Sequence, residues 1–305
     1  MVNIAFVFPG QGAQYVGMGK EFYDNFPCAK AVFEEANEIL GFDLARLCFE
    51  GPEEDLKRTL NSQLAIFTTS IASWKVIQEN FNLSPMLVAG LSLGEYTALV
   101  VAQSLSFEQG LVLVQKRAQF MEEACQERAS GMVSIIDLTQ EEVEEISRKG
   151  GAEIANLNCP GQIVVSAESK NLKKVIDLVK QKKGKAIILK TNGGFHSSLM
   201  NSAAKKLEKE LEKTEISPAK IPIVSNFSVN LETSSEEIKR NLVNQINHRT
   251  CWQGCVQLML KRDVDTFLEI GPGKVLSKLL TRIAPSASGY NVERVKDLEK
   301  LKEWR

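Results

Sequence analysis

Residues 90–94 read Gly-Leu-Ser-Leu-Gly and are followed by Glu95. A serine in this frame is a nucleophile when an apolar strand delivers it to a sharp turn that opens a helix. Met86, Leu87, Val88 and Ala89 precede the pentapeptide and a helical segment over 92–103 follows it, so Ser92 is the best nucleophile candidate in the chain. Gly90 and Gly94 leave room for the turn, and a helix N-terminus beside Ser92 favours developing negative charge. The same pattern also suits a glycine-rich turn with an ordinary serine cap. A nucleophilic serine needs a base, and the chain has 2 histidines. His196 follows the Gly193-Gly194 turn and Phe195 where an inserted domain ends, at the lip of a cleft between domains, whereas His248 sits between Asn247 and Arg249 and reads as a surface helix end. His196 is the better placed to take the Ser92 proton and return one to a leaving group. No aspartate after His196 is convincingly placed to orient the ring, since Asp263 and Asp265 belong to a helix-to-strand connection; a backbone or amide carbonyl is the other option.

These side chains need elements to position them. An apolar strand through Phe8 runs into Pro9-Gly10-Gln11-Gly12 and places Gln11 just beyond a strand end, where an α/β sheet presents its ligands. Helical periodicity dominates 17–80, broken near Gly41 and at Gly51-Pro52, with a buried helix over 64–81. A strand then delivers Ser92. Ser106 and Gln109 form a capping-box pattern opening the helix that carries Arg117, which reads by itself as a solvent-facing cation beside Lys116. From 132 the order becomes strand 132–138, helix 141–149, strands 153–158 and 162–166, helix 172–181 and strand 185–190. That is the β-α-β-β-α-β order of a ferredoxin-like α+β subdomain, each helix able to cover one face of a small antiparallel sheet. The fold class is α/β: a hydrolase-like parallel sheet core over 1–126 and 195–305 with the subdomain inserted at 127–194. Beyond it the pattern predicts helices over 198–212, 234–246, 251–261 and 274–282, strands over 221–225 and 264–270, and a short strand plus surface helix at the end.

Composition narrows the function classes. With 305 residues, 44% of them apolar, the chain can bury a sizeable core, and a formal net charge of -1 with dispersed lysine and arginine gives no field for nucleic acid. No stretch is long and apolar enough to span a membrane, which predicts a soluble, cytoplasmic protein. The 6 cysteines lack metal-like spacing and read as free thiols.

The motifs taken in order are more specific than any one of them. Phe8 to Gln14, Gly90 to Glu95, the Arg117 helix, Asn156-Leu157-Asn158-Cys159-Pro160-Gly161-Gln162, Phe195-His196-Ser197, Ser225-Asn226, Gln245 and Glu269 to Gly273 together resemble the malonyl-CoA:acyl carrier protein transacylases of fatty acid synthesis, almost end to end. The resemblance implies that Ser92 carries the acyl group, that His196 is its base, and that Gln11 and the Leu93 N–H form the oxyanion hole. It implies that Arg117 grips the malonyl carboxylate, reversing the surface reading, and that a Gln245 carbonyl orients the histidine, with Asn156, Asn158 and Asn226 as supporting polar positions. Malonyl-CoA would be the donor and the phosphopantetheine thiol of an acyl carrier protein the acceptor, with no bound cofactor or metal, in a monomer. Lys116, Lys190 and the 205–213 segment are candidates for steering an acidic carrier. One position departs from the family: its usual Gly-His-Ser-x-Gly has leucine here, so Leu91 supplies no polar group and makes the acyl environment drier. Phe195 before His196 closes the pocket near the substrate α-carbon and favours malonyl over methylmalonyl. A feeder for polyketide synthesis, a serine esterase or thioesterase, and a non-catalytic carrier-docking subunit are the competing functions.

Overall fold

The computed structural model describes residues 3–304. The strands are β1 (Ile4–Phe8), β2 (Leu87–Gly90), β3 (Ser130–Ile136), β4 (Ala152–Cys159), β5 (Gln162–Glu168), β6 (Lys185–Ile188), β7 (Ile223–Val224), β8 (Leu231–Glu232), β9 (Thr266–Ile270) and β10 (Ser288–Val292). They form two sheets, β10-β9-β1-β2-β7-β8 and β4-β5-β3-β6. The first is parallel except for the β7–β8 pair, and the second is antiparallel throughout. This is the mixed architecture expected from the sequence.

β1, β2 and β9 are buried at every residue, as central strands covered on both faces must be. Side-chain alternation divides them between two cores. Ile4, Phe6, Phe8 and Val88 face the larger cluster, with Phe22, Phe33, Phe67 and Leu111, while Ala5, Val7, Leu87 and Ala89 face Trp252, Val256, Leu276 and Leu280. Phe8 pairs with Gly90, so the loops bearing Gln11 and Ser92 leave the same end of the sheet from adjacent strands. Helix Thr59–Asn80 is buried over most of its length, Gln63 included.

In the small sheet the structure corrects one expectation. Helices Gln140–Gly150 and Ser169–Gln181 do not take one face each: Val143, Ile146, Val175 and Val179 all pack on Val133, Ile135, Ile163 and Val165. The alternate residues Met132, Ser134 and Val164 are thereby left to line a cleft beside Ser92. Other differences are local. The helix after β2 starts at Gly94 instead of 92 because Ser92 has a positive φ of 52°. The 17–80 region holds five helices, two more breaks falling at Phe26 and at Lys57-Arg58. β8 and the 3-10 character of Val295–Trp304 were not predicted, and Leu298 and Leu301 in that last segment are buried. No described helix is long and apolar enough to cross a membrane.

The turn after β2 leaves no room for side chains at its glycines. A Cβ on Gly90 would lie 1.9 Å from the Gly94 carbonyl carbon, and one on Gly94 would lie 2.1 Å from the Phe8 carbonyl oxygen. Both obstacles are backbone, so relief requires β1, β2 and the following helix to separate. Gly94→Ala should cost about 2–3 kcal/mol or more, read as a lower urea midpoint at unchanged m-value; a midpoint equal to that of the unsubstituted protein would mean that the contact relaxes freely.

Candidate active site

β2 ends at Gly90, and Ser92 occupies the left-handed region that the sharp turn demands. Asn226, after β7, holds this conformation from below. Its Oδ1 accepts the Ser92 N–H at 2.7 Å and its Nδ2 donates to the Gly90 carbonyl at 2.7 Å. Gln245 Nε2 donates to the Ser92 carbonyl at 2.9 Å. The serine backbone is thus clamped from both sides, and neither clamp engages its hydroxyl.

Ser92 Oγ lies 2.8 Å from His196 Nε2, and His196 Nδ1 lies 2.8 Å from the Gln245 main-chain carbonyl oxygen. A carbonyl only accepts, so Nδ1 carries the proton and Nε2 presents its lone pair to the serine. No aspartate takes part: of the options left open by the sequence, the backbone carbonyl occupies the orienting place. Burial, and secondarily the Arg117 charge, pull the His196 pKa down to about 4 against the Gln245 carbonyl, so the ring is neutral at pH 7. His248 is elsewhere, exposed and bonded to Asn244 and Asn247.

Arg117 is not the surface cation that its place beside Lys116 suggests; it is 1% exposed. Its Nη2 donates to Ser92 Oγ at 2.9 Å and to Gln245 Oε1 at 3.1 Å, its Nη1 donates to Gln63 Oε1 at 2.6 Å, and its Cζ lies 5.5 Å from the Tyr96 ring centroid. Nε has no partner. Burial lowers its pKa, and Tyr96 and Glu95 oppose the shift. The guanidinium sits among neutral acceptors with donor capacity to spare.

Gln63 and Glu95 were missed as site residues. Glu95 is buried in the first turn after the elbow, and its two carboxylate oxygens accept from the Asn226 N–H and Gln245 Nε2. Burial, then Glu232, raises its pKa. Gln63 closes the polar run Asn61-Ser62-Gln63 and Glu95 stands between Gly94 and Tyr96, so neither position carries a burial signal of its own.

A cavity of about 450 Å³ opens over Ser92 and His196, bounded by Gln11, Leu91 and Phe195 on one side and by Met132, Asn156 and Asn158 on the other. The Leu93 N–H donates to no group among the described residues, which leaves it available beside Ser92. Asn156 Nδ2 bonds Thr250 Oγ1, whereas Asn158 Oδ1 is buried without a partner. Of the cations considered for steering a carrier, Lys190 lines this cavity, joined by Lys57. Lys116 does not line it, and in helix Asn201–Lys213 Lys206 and Lys213 are paired with Glu123 and Glu210. Among the described residues no three His, Cys, Asp or Glu side chains gather in a metal-binding group.

The chain is similar over nearly its whole length to proteins of known activity. The model of the acyl transferase domain matches residues 5–299. A malonyl CoA-acyl carrier protein transacylase of Bacillus subtilis (strain 168) is 42% identical over 289 residues, covering 93% of this chain and 91% of that one. A solved structure of a malonyl CoA-acyl carrier protein transacylase from Clostridium perfringens superposes with a TM-score of 0.94 at 40% identity, covering 99% and 97% of the two chains. A malonyl-transacylase solved in complex with a type II PKS acyl-carrier protein gives 0.97 at 36% identity over 99% and 100%. Likeness of this extent in both sequence and fold settles the relationship: the chain belongs to the acyl transferase domain family, among the malonyl CoA-acyl carrier protein transacylases.

Proposed function

We propose that the protein transfers the malonyl group from malonyl-CoA to the phosphopantetheine thiol of an acyl carrier protein through a malonyl ester on Ser92. The observation that carries this reading is the 2.9 Å approach of the buried, anion-free Arg117 to the hydroxyl that His196 is placed to deprotonate. Ser92 Oγ attacks the thioester carbonyl and gives its proton to His196 Nε2. The tetrahedral oxyanion is held by the Leu93 N–H and Gln11 Nε2. As the C–S bond breaks, His196 protonates the departing CoA sulfur. The carrier thiol then attacks the malonyl ester, its proton passes to His196 and on to Ser92 Oγ, and the serine is regenerated.

Arg117 turns from Ser92 to the free malonyl carboxylate, a charge-assisted pair of the kind guanidinium forms best. Pairing also removes one of the two causes that depress His196, so a carboxylated substrate strengthens its own base. The residues 127–194 form one wall of the cleft and Lys57 and Lys190 its basic rim, to which an acidic carrier is steered. Leu91 keeps the acyl pocket dry and Phe195 limits branching at the α-carbon. The chemistry uses the chain's own side-chain and main-chain groups, in a cytoplasmic monomer. A general esterase would have little use for the buried arginine, and a docking subunit little use for an intact serine–histidine pair.

Mixing the protein with malonyl-CoA should give a single malonyl adduct by intact mass that Ser92→Ala lacks; a folded protein without an adduct would overturn the reading. Truncating one member of a buried charge pair costs about 2–5 kcal/mol, so Arg117→Ala should lose roughly thirtyfold or more in malonyl transfer while acetyl transfer holds or rises. Equal losses for both would make the arginine structural. Because the neutral imidazole is the active form and its pKa is lowered to about 4, the acid limb of kcat/KM should lie well below the value near 6.5 of an ordinary histidine. The limb in kcat, measured with Arg117 paired, should lie above that in kcat/KM; coincident limbs near pH 6.5 would refute both shifts.

A further inference from the structure

Gln63 is wholly buried, with its two amide atoms committed to different partners. Its Oε1 accepts from Arg117 Nη1 at 2.6 Å, and its Nε2 lies 3.4 Å from Gln11 Oε1 and 3.4 Å from Met121 Sδ. A guanidinium can only donate. Turning the Gln63 amide over would set NH2 against guanidinium and leave two buried donors unsatisfied, which is strongly disfavoured. Arg117 therefore fixes the Gln63 oxygen, and the Gln63 NH2 in turn fixes the Gln11 oxygen. What remains of Gln11 is its own NH2, which donates to no group among the described residues, on a side chain that lines the cavity over Ser92.

We propose that Gln63 is a positioning residue for the oxyanion site: the one-way chain Arg117 to Gln63 to Gln11 sets the direction of the Gln11 amide and makes its NH2 the side-chain donor facing the reacting carbonyl. This deepens the acyl-transfer reading and rests on it. The arginine that would read the acyl carboxylate is thereby tied, through two amides, to the donor that stabilises the charge formed in attack.

The test reverses the polarity at one atom. Gln63→Glu keeps the shape and gives Arg117 a better acceptor, but it cannot donate to Gln11, whose NH2 then turns away from the pocket. A role limited to holding Arg117 predicts no harm from this change. Ser92 labelling by phenylmethanesulfonyl fluoride is the primary readout, because the reagent has no carboxylate for Arg117. Ser92 Oγ bonds to sulfur, fluoride leaves, His196 takes the proton, and a sulfonyl oxygen gathers the negative charge. If Gln11→Ala slows labelling about a hundredfold, as loss of an oxyanion donor does, Gln63→Glu should slow it at least about tenfold, and adding it to Gln11→Ala should cost less than about twofold more. Gln63→Met should follow the same pattern. Labelling of Gln63→Glu at the unsubstituted rate, losses that multiply in the double variant, or failure of both Gln63 variants to fold by thermal melting would each overturn the proposal. A protein that is sulfonylated on this pattern yet takes no malonyl group would leave the amide chain standing and remove the malonyl reading, whereas malonylation with multiplying losses does the reverse.

Discussion

A buried cation without a counter-anion is the constraint around which the site is arranged. Moving a guanidinium out of water costs several kcal/mol even after relaxation, and Arg117 recovers that through neutral acceptors: Gln63, Gln245 and the Ser92 hydroxyl. Neutral oxygens stabilise a cation less than a carboxylate does. Glu95 lies close enough to act on Arg117 electrostatically, but its own oxygens are engaged by Asn226 and Gln245. The folded protein is left with an electrostatic deficit that a bound anion relieves. The same charge, after burial, depresses His196, so in the proposed mechanism anion recognition and base strength are two effects of one charge.

The second constraint is conformational. A serine held in the left-handed region is strained, and such strain persists only where its surroundings over-determine it. Here the surroundings come from distant parts of the chain: Asn226 and Gln245 clamp the backbone on either side of Ser92, and Glu95 ties those two to each other. Gln245 also presents its main-chain carbonyl to His196 and its Oε1 to Arg117. One glutamine on helix Ser235–Asn247 therefore touches Ser92, His196 and Arg117, each through a different atom.

Much of this was legible in the residues, for reasons that can be named. Short-range signals held: the glycine frame around Ser92, the Ser106–Gln109 cap, whose two hydrogen bonds both form, and the strand and helix order of the small sheet. That Ser92, His196, Arg117, Gln245 and Asn226 gather in one place was implied by the resemblance to the transacylase family, and the five residues do meet. What one sequence hides is the environment of each group. Periodicity placed Arg117 on a helix but could not say that its face of that helix is buried; Lys116 beside it gave the opposite impression. Gln63 was hidden because it ends the polar run Asn61-Ser62-Gln63 just ahead of the apolar stretch 64–81, where it reads as the exposed start of a buried helix. The face chosen by helices Gln140–Gly150 and Ser169–Gln181 was equally hidden, since covering one face twice or two faces once requires the same apolar pattern in each helix.

That choice of face explains how two separate sheets make one cleft. With both helices on the Val133 and Ile135 side, the Met132 and Ser134 side has no helix of its own and must be covered by the larger sheet's loops. β4 makes the junction. Its pairing with β5 shifts register between Ile154 and Asn156 and again between Leu157 and Cys159, and such bulges turn a strand's side chains and backbone toward a new partner. In the interval Asn156 bonds the Thr250 hydroxyl, Leu157 N–H donates to the Thr250 carbonyl, and Thr250 N–H donates to Ala155. Thr250 lies five residues after Gln245, the residue that orients His196. The distortion in β4 thus ties the small sheet to the same segment that holds His196, so the wall of the cleft and the histidine at its floor share one anchor.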